Sequence, residues 1–285
     1  MIGFVILHYQ AIDETKECVN SIKKNVDGNK RIVIVDNASP NQTGKELDFF
    51  YKEDSEVDIL LLEENKGFAK GNNIGFNYVK RYNPNYVVVL NSDTLLLKDN
   101  FVSQLETAYK KYSFDILGPD IYSTKTKSHQ NPQNDKNYSL DELYKLRKKL
   151  LFKKKFKFLL WLKYFFNGKS RETISEKNYK EIQTGKILHG SFYVFSKKFI
   201  DIHTECFYNE TFMYFESYLL HYYGMKNNLI LLYYPMIQIV HHEDASTDLT
   251  YTKQYQKSIF VNDCLYDSCQ KYIQILEKND TLFIQ

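Results

Sequence analysis

The sequence is poor in the residues that mark disulfide-stapled, fibrous or disordered chains. Its 285 residues contain only 4 Cys, 5 Pro and 11 Gly. The cysteines show neither Cys-x-x-Cys spacing nor a disulfide framework, so we expect free thiols in a reducing compartment. The low Gly and Pro content argues against a collagen-like or low-complexity chain.

The sequence pattern predicts neither a secretory signal nor a membrane-crossing segment. No run approaches the roughly 18 apolar residues that a transmembrane helix needs. The first ten residues, MIGFVILHYQ, have no basic stretch and become polar too early for a secretory signal. We therefore expect a cytoplasmic protein with, at most, a peripheral contact at the inner face of the cell membrane.

Apolar and aromatic residues, by contrast, are abundant. Hydrophobic residues make up 43% of the chain, and there are 24 Tyr and 20 Phe. This is enough apolar surface for one large α/β domain or two smaller ones. The aromatic content is typical of grooves lined by aromatic side chains, or of a surface that contacts lipid or sugar.

Apolar runs and amphipathic stretches alternate over the first 95 residues. The runs predict four strands, and the stretches between them predict three helices. The predicted strands are residues 3–7, 31–35, 57–62 and 86–90, and the predicted helices are residues 13–25, 45–52 and 72–81. Such alternation is typical of a parallel, Rossmann-like α/β sheet.

Polar clusters follow the predicted strands. They are His8-Tyr9, Asp36-Asn37, Asn65-Lys66-Gly67 and Asn91-Ser92-Asp93. Parallel strands would place these clusters along one rim, where open α/β sheets bind ligands. Carboxylates and amides suit a base and a ribose, while Lys and backbone N–H groups suit phosphates. The Gly-x-Gly-x-x-Gly fingerprint and the P-loop are both absent, so the rim predicts a nucleotide site of another design.

Asp93 has a second interpretation. Flanked by Asn, Ser and Thr oxygens, it suits one corner of a hard-cation site. A polar turn between two strands explains the same stretch without a ligand.

Four motifs in one order carry a family resemblance. VILHYQ, IVIVDNAS, ENKGFAKGNNIGF and VVLNSDT resemble the family 2 inverting glycosyltransferases of the GT-A fold, in particular the rhamnosyltransferase-like and galactofuranosyltransferase-like bacterial branch. The resemblance is strong over residues 1–120 and thinner over 185–250. It implies a mostly parallel central sheet flanked by helices, a nucleoside diphosphate sugar donor, Mg²⁺ or Mn²⁺, and a lipid-linked oligosaccharide acceptor of surface polysaccharide synthesis.

The resemblance also implies roles for single residues around the nucleotide. Tyr9 would lie near the base, and Asp36 would contact the base or ribose. The nucleotide-side loop and the family's Gly-Asn-Asn would correspond to Asn65, Lys66, Gly67, Asn72 and Asn73. His8 occupies a position where Asn is commoner, which puts a base contact by this side chain in doubt.

The metal motif departs from the family pattern. Asn91, Ser92 and Asp93 stand in for its Asp-x-Asp, so Asp93 is the one remaining carboxylate. His241, at a strand end five residues before Ser246, would bind the metal or the diphosphate. A hydrogen-bonded structural histidine is the alternative for His241, and the same interpretation is preferred for His189.

Glu216 is the candidate catalytic base. The segment FYNETFMYFESYLLHYYG resembles the family's Phe-x-Glu-Asp motif, with Ser217 in place of the Asp. A carboxylate there would take the proton of the acceptor hydroxyl, and aromatic surroundings would raise its pKa. The alternative is a solvent-facing helix residue, although the helical spacing of Phe212, Phe215, Leu219 and Tyr222 predicts a core face.

One segment is strongly basic. Residues 145–163 hold nine Lys or Arg and no acid, and subtracting these nine from the net charge of +3 leaves −6 for the rest. Basic charge beside Phe, Leu and Trp predicts contact with an anionic membrane. The alternative is a helical insertion that packs on the domain. Nucleic acid is not expected, because no binding motif accompanies the charge.

These patterns divide the chain into four parts: residues 1–120 for the nucleotide sugar, 121–180 as loop and basic-aromatic insertion, 181–250 as the acceptor side, and 251–285 as a helical tail. The tail would pack, form a homodimer or complete the acceptor groove. Two other functions stay open. One is a catalytically silent scaffold of a polysaccharide assembly, and the other is a sugar-phosphate nucleotidyltransferase, which lacks support because no Gly-rich, basic phosphate loop is present.

Overall fold

The apolar runs of the N-terminal half form parallel strands. In the computed structural model, which describes residues 1–133, 136–157, 178–243, 250 and 254–285, β1 (Ile2–His8) lies between β2 (Lys30–Asp36) and β4 (Tyr86–Asn91). β3 (Val57–Leu61) pairs with β2. All of these pairings are parallel, which confirms the predicted sheet.

Three helices connect these strands. They are α1 (Ile12–Asn25), α2 (Thr43–Tyr51) and α3 (Gly67–Lys80). The predicted start of the third helix at Asn72 is wrong by one and a half turns. The helix begins at Gly67, whose φ of +78° lets the chain turn out of the preceding loop without a polar cap.

The C-terminal half completes a mixed sheet in the order β3-β2-β1-β4-β9-β6-β10-β5. Its strands are β5 (Thr94–Leu96), β6 (Ile116–Ser123), β7 (Ser128–His129), β8 (Gln183–Thr184), β9 (Phe192–Ser196) and β10 (Leu231–His241). β9 is antiparallel to its neighbours β4 and β6, and β10 is parallel to β6. Pro235 does not split β10, because the register shift between Tyr234 and Gln238 accommodates it.

The core has two layers, one on each face of the sheet. Phe4 and Ile6 of β1 face the layer formed by α1, α2 and α4 (Phe101–Tyr112), while Val5 faces the other. The helices of the second layer are α3, α5 (Leu140–Lys155), α6 (Lys197–Ile202), α7 (Glu216–Lys226) and α8 (Gln254–Lys278). The alternation follows from the two-residue period of the strands.

The helical tail packs against the basic segment. Leu143 and Leu150 of α5 are buried, and Asn262 of α8 donates a hydrogen bond to the Leu150 carbonyl (3.1 Å). The prediction of a helical tail is confirmed for residues 254–278. The rest of the basic segment, residues 158–163, lies outside the described residues. Within the described part of the chain, no helix is long and apolar enough to span a membrane.

The expected core face of the segment that carries Glu216 is partly wrong. Phe215 and Leu219 are buried, whereas Phe212 is 38% exposed. Helical spacing does not apply to Phe212, because α7 begins only at Glu216.

Candidate active site

The sheet places the predicted strand-end residues along one rim. His8 of β1 is in register with Asp36 of β2, and Leu7 is in register with Asn91 of β4. Beyond this rim lies a cavity of about 800 Å³. Eight of the sequence-predicted site residues line it: Tyr9, Asn65, Gly67, Asn91, Ser92, Asp93, Glu216 and His241.

Asp93 and His241 meet in this cavity. β5 and β10 pair antiparallel with Thr94 opposite His241, and the His242 amide donates to the Asp93 carbonyl (3.0 Å). The pairing brings Asp93 Oδ1 to 3.2 Å from His241 Nε2. Both side chains are at least nine-tenths buried, so the contact is shielded from bulk water.

Gln130 fixes the orientation of the His241 ring. Its Oε1 lies 2.8 Å from His241 Nδ1 and, as a hydrogen-bond acceptor, pairs with an N–H at that nitrogen, so Nε2 is the ring nitrogen directed at Asp93. Gln130 is itself held by a backbone hydrogen bond from its amide to the Ile121 carbonyl (2.8 Å). A second-layer acceptor of this kind is what orients a metal-binding histidine.

The arrangement fits a divalent cation. The carboxylate oxygen and the imidazole nitrogen lie 3.2 Å apart, while two adjacent ligands of an octahedral ion with bonds of roughly 2.1 Å lie about 3 Å apart. A mixed oxygen and nitrogen donor set favours Mn²⁺ over Mg²⁺. No cluster of three or more His, Cys, Asp or Glu surrounds this pair within the described residues, and Asp244–Ser246 lie outside them.

Glu216 occupies a buried position at the first residue of α7. It lines the cavity, and its Oε1 has no hydrogen-bond partner among the described residues. Burial raises the pKa of this carboxyl to about 7, against the opposing effect of a hydrogen bond from Thr211. A carboxyl with this pKa is suited to accept a proton near neutral pH.

The backbone before Glu216 is strained. Tyr214 and Phe215 have φ values of 76° and 68°, in the left-handed region that non-glycine residues rarely adopt. Ser217, which follows, accepts a hydrogen bond from the Tyr193 hydroxyl (3.0 Å). Residues held in such conformations cluster at functional sites, where the surrounding structure over-determines them.

Asn37 organises the loop next to the predicted nucleotide. Its side-chain amide donates to Asn65 Oδ1 (2.9 Å), and its Oδ1 accepts from the Lys66 amide (2.8 Å). Asn65 Oδ1 in turn accepts from the Gly67 amide (2.9 Å). Asn37 also lines the cavity and was missed as a site residue, although its position directly after Asp36 offered the signal.

The loop that Asn37 organises touches the loop that carries Glu216. The Phe68 amide donates to the Phe212 carbonyl (2.6 Å). A Cβ at Gly67 would lie 2.3 Å from that same carbonyl oxygen, so only glycine allows this close approach. The nucleotide-side loop and the Glu216 loop therefore hold each other in place.

Four predicted nucleotide-binding residues do not line this cavity. Asp36 is buried, accepts hydrogen bonds from Ser39, and has a pKa raised by burial. Lys66 forms an ion pair with Glu64 at the surface. Asn72 and Asn73 lie inside α3, where Asn73 Oδ1 accepts from the Phe207 amide (3.0 Å) and so joins α3 to the segment before Glu216.

His8 and His189 have hydrogen-bond partners within the protein. His8 contacts Thr15 Oγ1 (2.7 Å) and Thr43 Oγ1 (2.9 Å) and is fully buried, and burial lowers its pKa to about 4. His189 Nδ1 lies 2.9 Å from Ser191 Oγ, yet the residue lines the cavity. The geometry of His8 is that of a structural histidine.

The cavity wall opposite the rim is apolar and comes from α5 and α8. The residues that form it, which sequence analysis did not identify, are Leu146, Phe260 and Leu265. Tyr138, Phe212 and Tyr218 also line the cavity. Nothing in the sequence relates residue 146 to residue 260, because only the packing of α5 on α8 brings them together.

Solved structures share this architecture. The match to the crystal structure of Staphylococcus aureus TarS 1-349 spans 85% of this chain and 60% of the TarS chain, with a TM-score of 0.54 and 15% identity. The match to the crystal structure of GalNAc-T7 with UDP, GalNAc and Mn²⁺ spans 91% of this chain and 49% of the GalNAc-T7 chain, with a TM-score of 0.57 and 13% identity. These likenesses establish the GT-A fold.

Two sequence relatives match part of the chain. Glycosyltransferase GlyG of Streptococcus pneumoniae is 27% identical over 123 residues, which is 43% of this chain and 40% of the relative. The putative teichuronic acid biosynthesis glycosyltransferase TuaG of Bacillus subtilis is 29% identical over 106 residues, which is 37% of this chain and 41% of the relative. The matches thus span about two fifths of each relative. Residues 4–177, more than half of the chain, match the family description "Glycosyl transferase family 2". The chain belongs to glycosyl transferase family 2.

Proposed function

We propose that the protein is an inverting glycosyltransferase of cell-surface polysaccharide synthesis. The donor is a UDP- or dTDP-sugar, and the acceptor is a lipid-linked oligosaccharide at the inner face of the membrane. One observation carries the proposal: a raised-pKa carboxyl, Glu216, and a cation-suited pair, Asp93 and His241, line the same cavity. The crystal structures of TarS 1-349 in complex with UDP and with UDP-GlcNAc support a nucleotide sugar as donor.

The chemistry is a single displacement. Glu216 accepts the proton of an acceptor hydroxyl, and the freed oxygen attacks the anomeric carbon of the donor. The bond from that carbon to the phosphate oxygen breaks, and the nucleoside diphosphate leaves with the bonding electrons. Asp93 and His241 would hold Mn²⁺ or Mg²⁺, which neutralises the charge of the departing diphosphate.

The residues around the cavity have supporting roles in this scheme. Tyr9 and Asn65 line the rim side, where the base and ribose bind. Asn37 keeps the loop of Asn65 in shape, and Gln130 keeps Nε2 of His241 directed at Asp93. Asp36, Lys66, Asn72 and Asn73 support this side from outside the cavity.

Thermal shift with UDP, dTDP and GDP, each with and without Mn²⁺, tests the proposal. We expect one nucleotide to raise the melting temperature, with a further rise when Mn²⁺ is added. The absence of any shift would contradict it.

A silent nucleotide-binding scaffold is the second candidate, and Asn91 favours it. Asn91 replaces one acid of the metal motif and removes a charge from the cation site. Binding of a nucleotide without turnover of any nucleotide sugar would support the scaffold. A sugar-phosphate nucleotidyltransferase has no comparable support in the cavity.

A further inference from the structure

Three leucines and two phenylalanines of α5 and the basic segment lie on different sides of the helix, the leucines facing the protein and the phenylalanines facing solvent. Leu143 and Leu150 are buried in the core, and Leu146 lines the cavity. Phe152 and Phe156, one turn apart, are 55% and 40% exposed, and their ring centroids lie 4.7 Å apart. The two aromatic rings therefore form a small apolar patch on the outer side of the helix.

Four lysines share that outer side. At about 100° per residue they and the two phenylalanines fall within roughly one third of the helix circumference. All four are exposed: Lys145, Lys148, Lys149 and Lys155. The acids of α5 are confined to its first turn, where Glu142 closes a capping box with Ser139. We call the four lysines, Phe152 and Phe156 the outer face of α5.

Two other lysines of the segment form ion pairs on another side of it. Lys154 pairs with Asp267 (3.2 Å) and Lys157 with Asp263 (2.8 Å), and both acids belong to α8. Within the described part of the chain, no ion pair involves the lysines of the outer face. The segment thus uses part of its charge to hold α8, while the four lysines of the outer face are exposed to solvent.

We propose that the outer face of α5 docks on an anionic lipid surface. Each lysine near such a surface gains about 1 kcal/mol from the headgroup charge, and adjacent phenylalanines insert at the boundary between headgroups and acyl chains. The chain outside residues 145–163 carries a net charge of −6. It is repelled from the same surface, so the charge asymmetry selects this face. A nucleic-acid duplex would contact the lysines through its phosphates and leave the two rings in water.

Docking by this face would hold the cavity in a fixed position and orientation relative to the membrane surface. Leu146 of the same helix lines the cavity, so α5 is both a wall of the cavity and the contact with lipid. This consequence rests on the proposed function, because it matters only if the acceptor is held in the membrane. The lipid contact itself does not depend on catalysis.

Co-sedimentation of the full chain with phosphatidylcholine vesicles, with and without 30% phosphatidylglycerol, tests the inference. We expect binding to the anionic vesicles only. The triple variant Lys148→Ser/Lys149→Ser/Lys155→Ser should bind about a hundredfold more weakly, since three contributions of about 1 kcal/mol amount to two tenfold steps. The matched control is Lys98→Ser/Lys110→Ser/Lys111→Ser, three exposed lysines in or beside α4 in the opposite layer. It should bind as the unchanged protein does.

The phenylalanines are tested separately. Phe152→Ser/Phe156→Ser should lower the binding that survives in high salt, because apolar insertion is not screened. Its control is Phe49→Ser/Phe50→Ser, another exposed pair, on α2. Equal binding by test and control variants, or equal binding to neutral vesicles, would overturn the inference. So would preferential binding to an oligonucleotide.

The nucleotide-induced thermal shift separates the two proposals. If the shift is present and vesicle binding is absent, the docking inference alone fails. If vesicle binding is present and no nucleotide shifts the melting temperature, the proposed function fails and the docking face stands.

Discussion

Asp93 Oδ1 and His241 Nε2 lie 3.2 Å apart, although one residue follows β4 and the other ends β10. A buried carboxylate and imidazole at this separation are stable together when a proton or a metal cation lies between them. The pairing of β5 with β10 sets the distance, so the fold itself brings together the two side chains that we propose as cation ligands.

The first prediction concerns this pair. Asp93→Ala should abolish the Mn²⁺-dependent part of the thermal shift given by the nucleotide, because it removes the carboxylate of the proposed cation-binding pair. Asp99→Ala, at a nearby acid outside the cavity lining, is the control. A Mn²⁺-dependent shift that persists in Asp93→Ala would place the ion elsewhere.

A second prediction concerns Gln130. Gln130→Leu removes the acceptor for His241 Nδ1 and should weaken Mn²⁺ binding by roughly 10- to 100-fold, as loss of second-layer partners does elsewhere. Isothermal titration of the protein with Mn²⁺ measures this without turnover. Gln133→Leu, in the same cavity and without a described hydrogen bond to His241, should bind Mn²⁺ normally. Equal affinities would show that the ring needs no such support.

The pH dependence of turnover is the third prediction. With a pKa of about 7, Glu216 is ionised only above that pH, so kcat/KM should fall about tenfold per pH unit below it. Glu216→Gln should retain nucleotide binding and lose roughly 10²- to 10⁴-fold in kcat. A flat pH profile from 5 to 8 would exclude Glu216 as the base.

The fourth prediction is that the raised pKa of Glu216 makes the stability of the folded protein depend on pH. The unfolded chain has the ordinary Glu pKa of 4.5, so between pH 4.5 and 7 the folded protein keeps a proton that the unfolded chain has lost. Stability therefore falls as the pH rises through this window, by about 3 kcal/mol in total. Glu216→Gln should raise the melting temperature above pH 7 and have little effect at pH 4. Equal effects at both pH values would show that the ionisation of Glu216 is not what costs stability.

A fifth prediction tests the contact between the two loops. Gly67→Ala adds a Cβ that would lie 2.3 Å from the Phe212 carbonyl oxygen. It should lower the free energy of unfolding by several kcal/mol, more than the roughly 1–2 kcal/mol of a left-handed alanine. Gly28→Ala is the matched control, because Gly28 also has a left-handed φ of +80° but has open space around it. If urea denaturation showed the same loss in free energy of unfolding for Gly67→Ala and Gly28→Ala, the two loops would not restrain each other.

Sequence patterns predicted the sheet well because buried parallel strands leave an unambiguous signal. Four apolar runs became β1 to β4, and their polar ends meet at the rim. The start of α3 escaped prediction because it uses a left-handed glycine in place of a polar cap. The directions of the α5 side chains also escaped, since the packing of α5 on α8 decides which residues face inward.

The site was predictable only where a motif marks it. Asp93, Glu216 and His241 line one cavity, while Gln130 lies in an aperiodic segment that gives no signal of its own. Asn72 and Asn73 show the opposite case. They belong to a motif, yet their side chains are buried inside α3 beside the cavity, where Asn73 secures the backbone of the segment before Glu216.

Turnover of nucleotide sugars by the full chain tests the central claim most directly. Release of nucleoside diphosphate from a panel of UDP- and dTDP-sugars would be measured with Mn²⁺ for the unchanged protein, Asp93→Ala and Glu216→Gln. We predict that the unchanged protein cleaves at least one donor, that Asp93→Ala cleaves none, and that Glu216→Gln binds the same donor without cleaving it. Cleavage that survives in both variants, or a donor bound and never cleaved by the unchanged protein, would contradict the account.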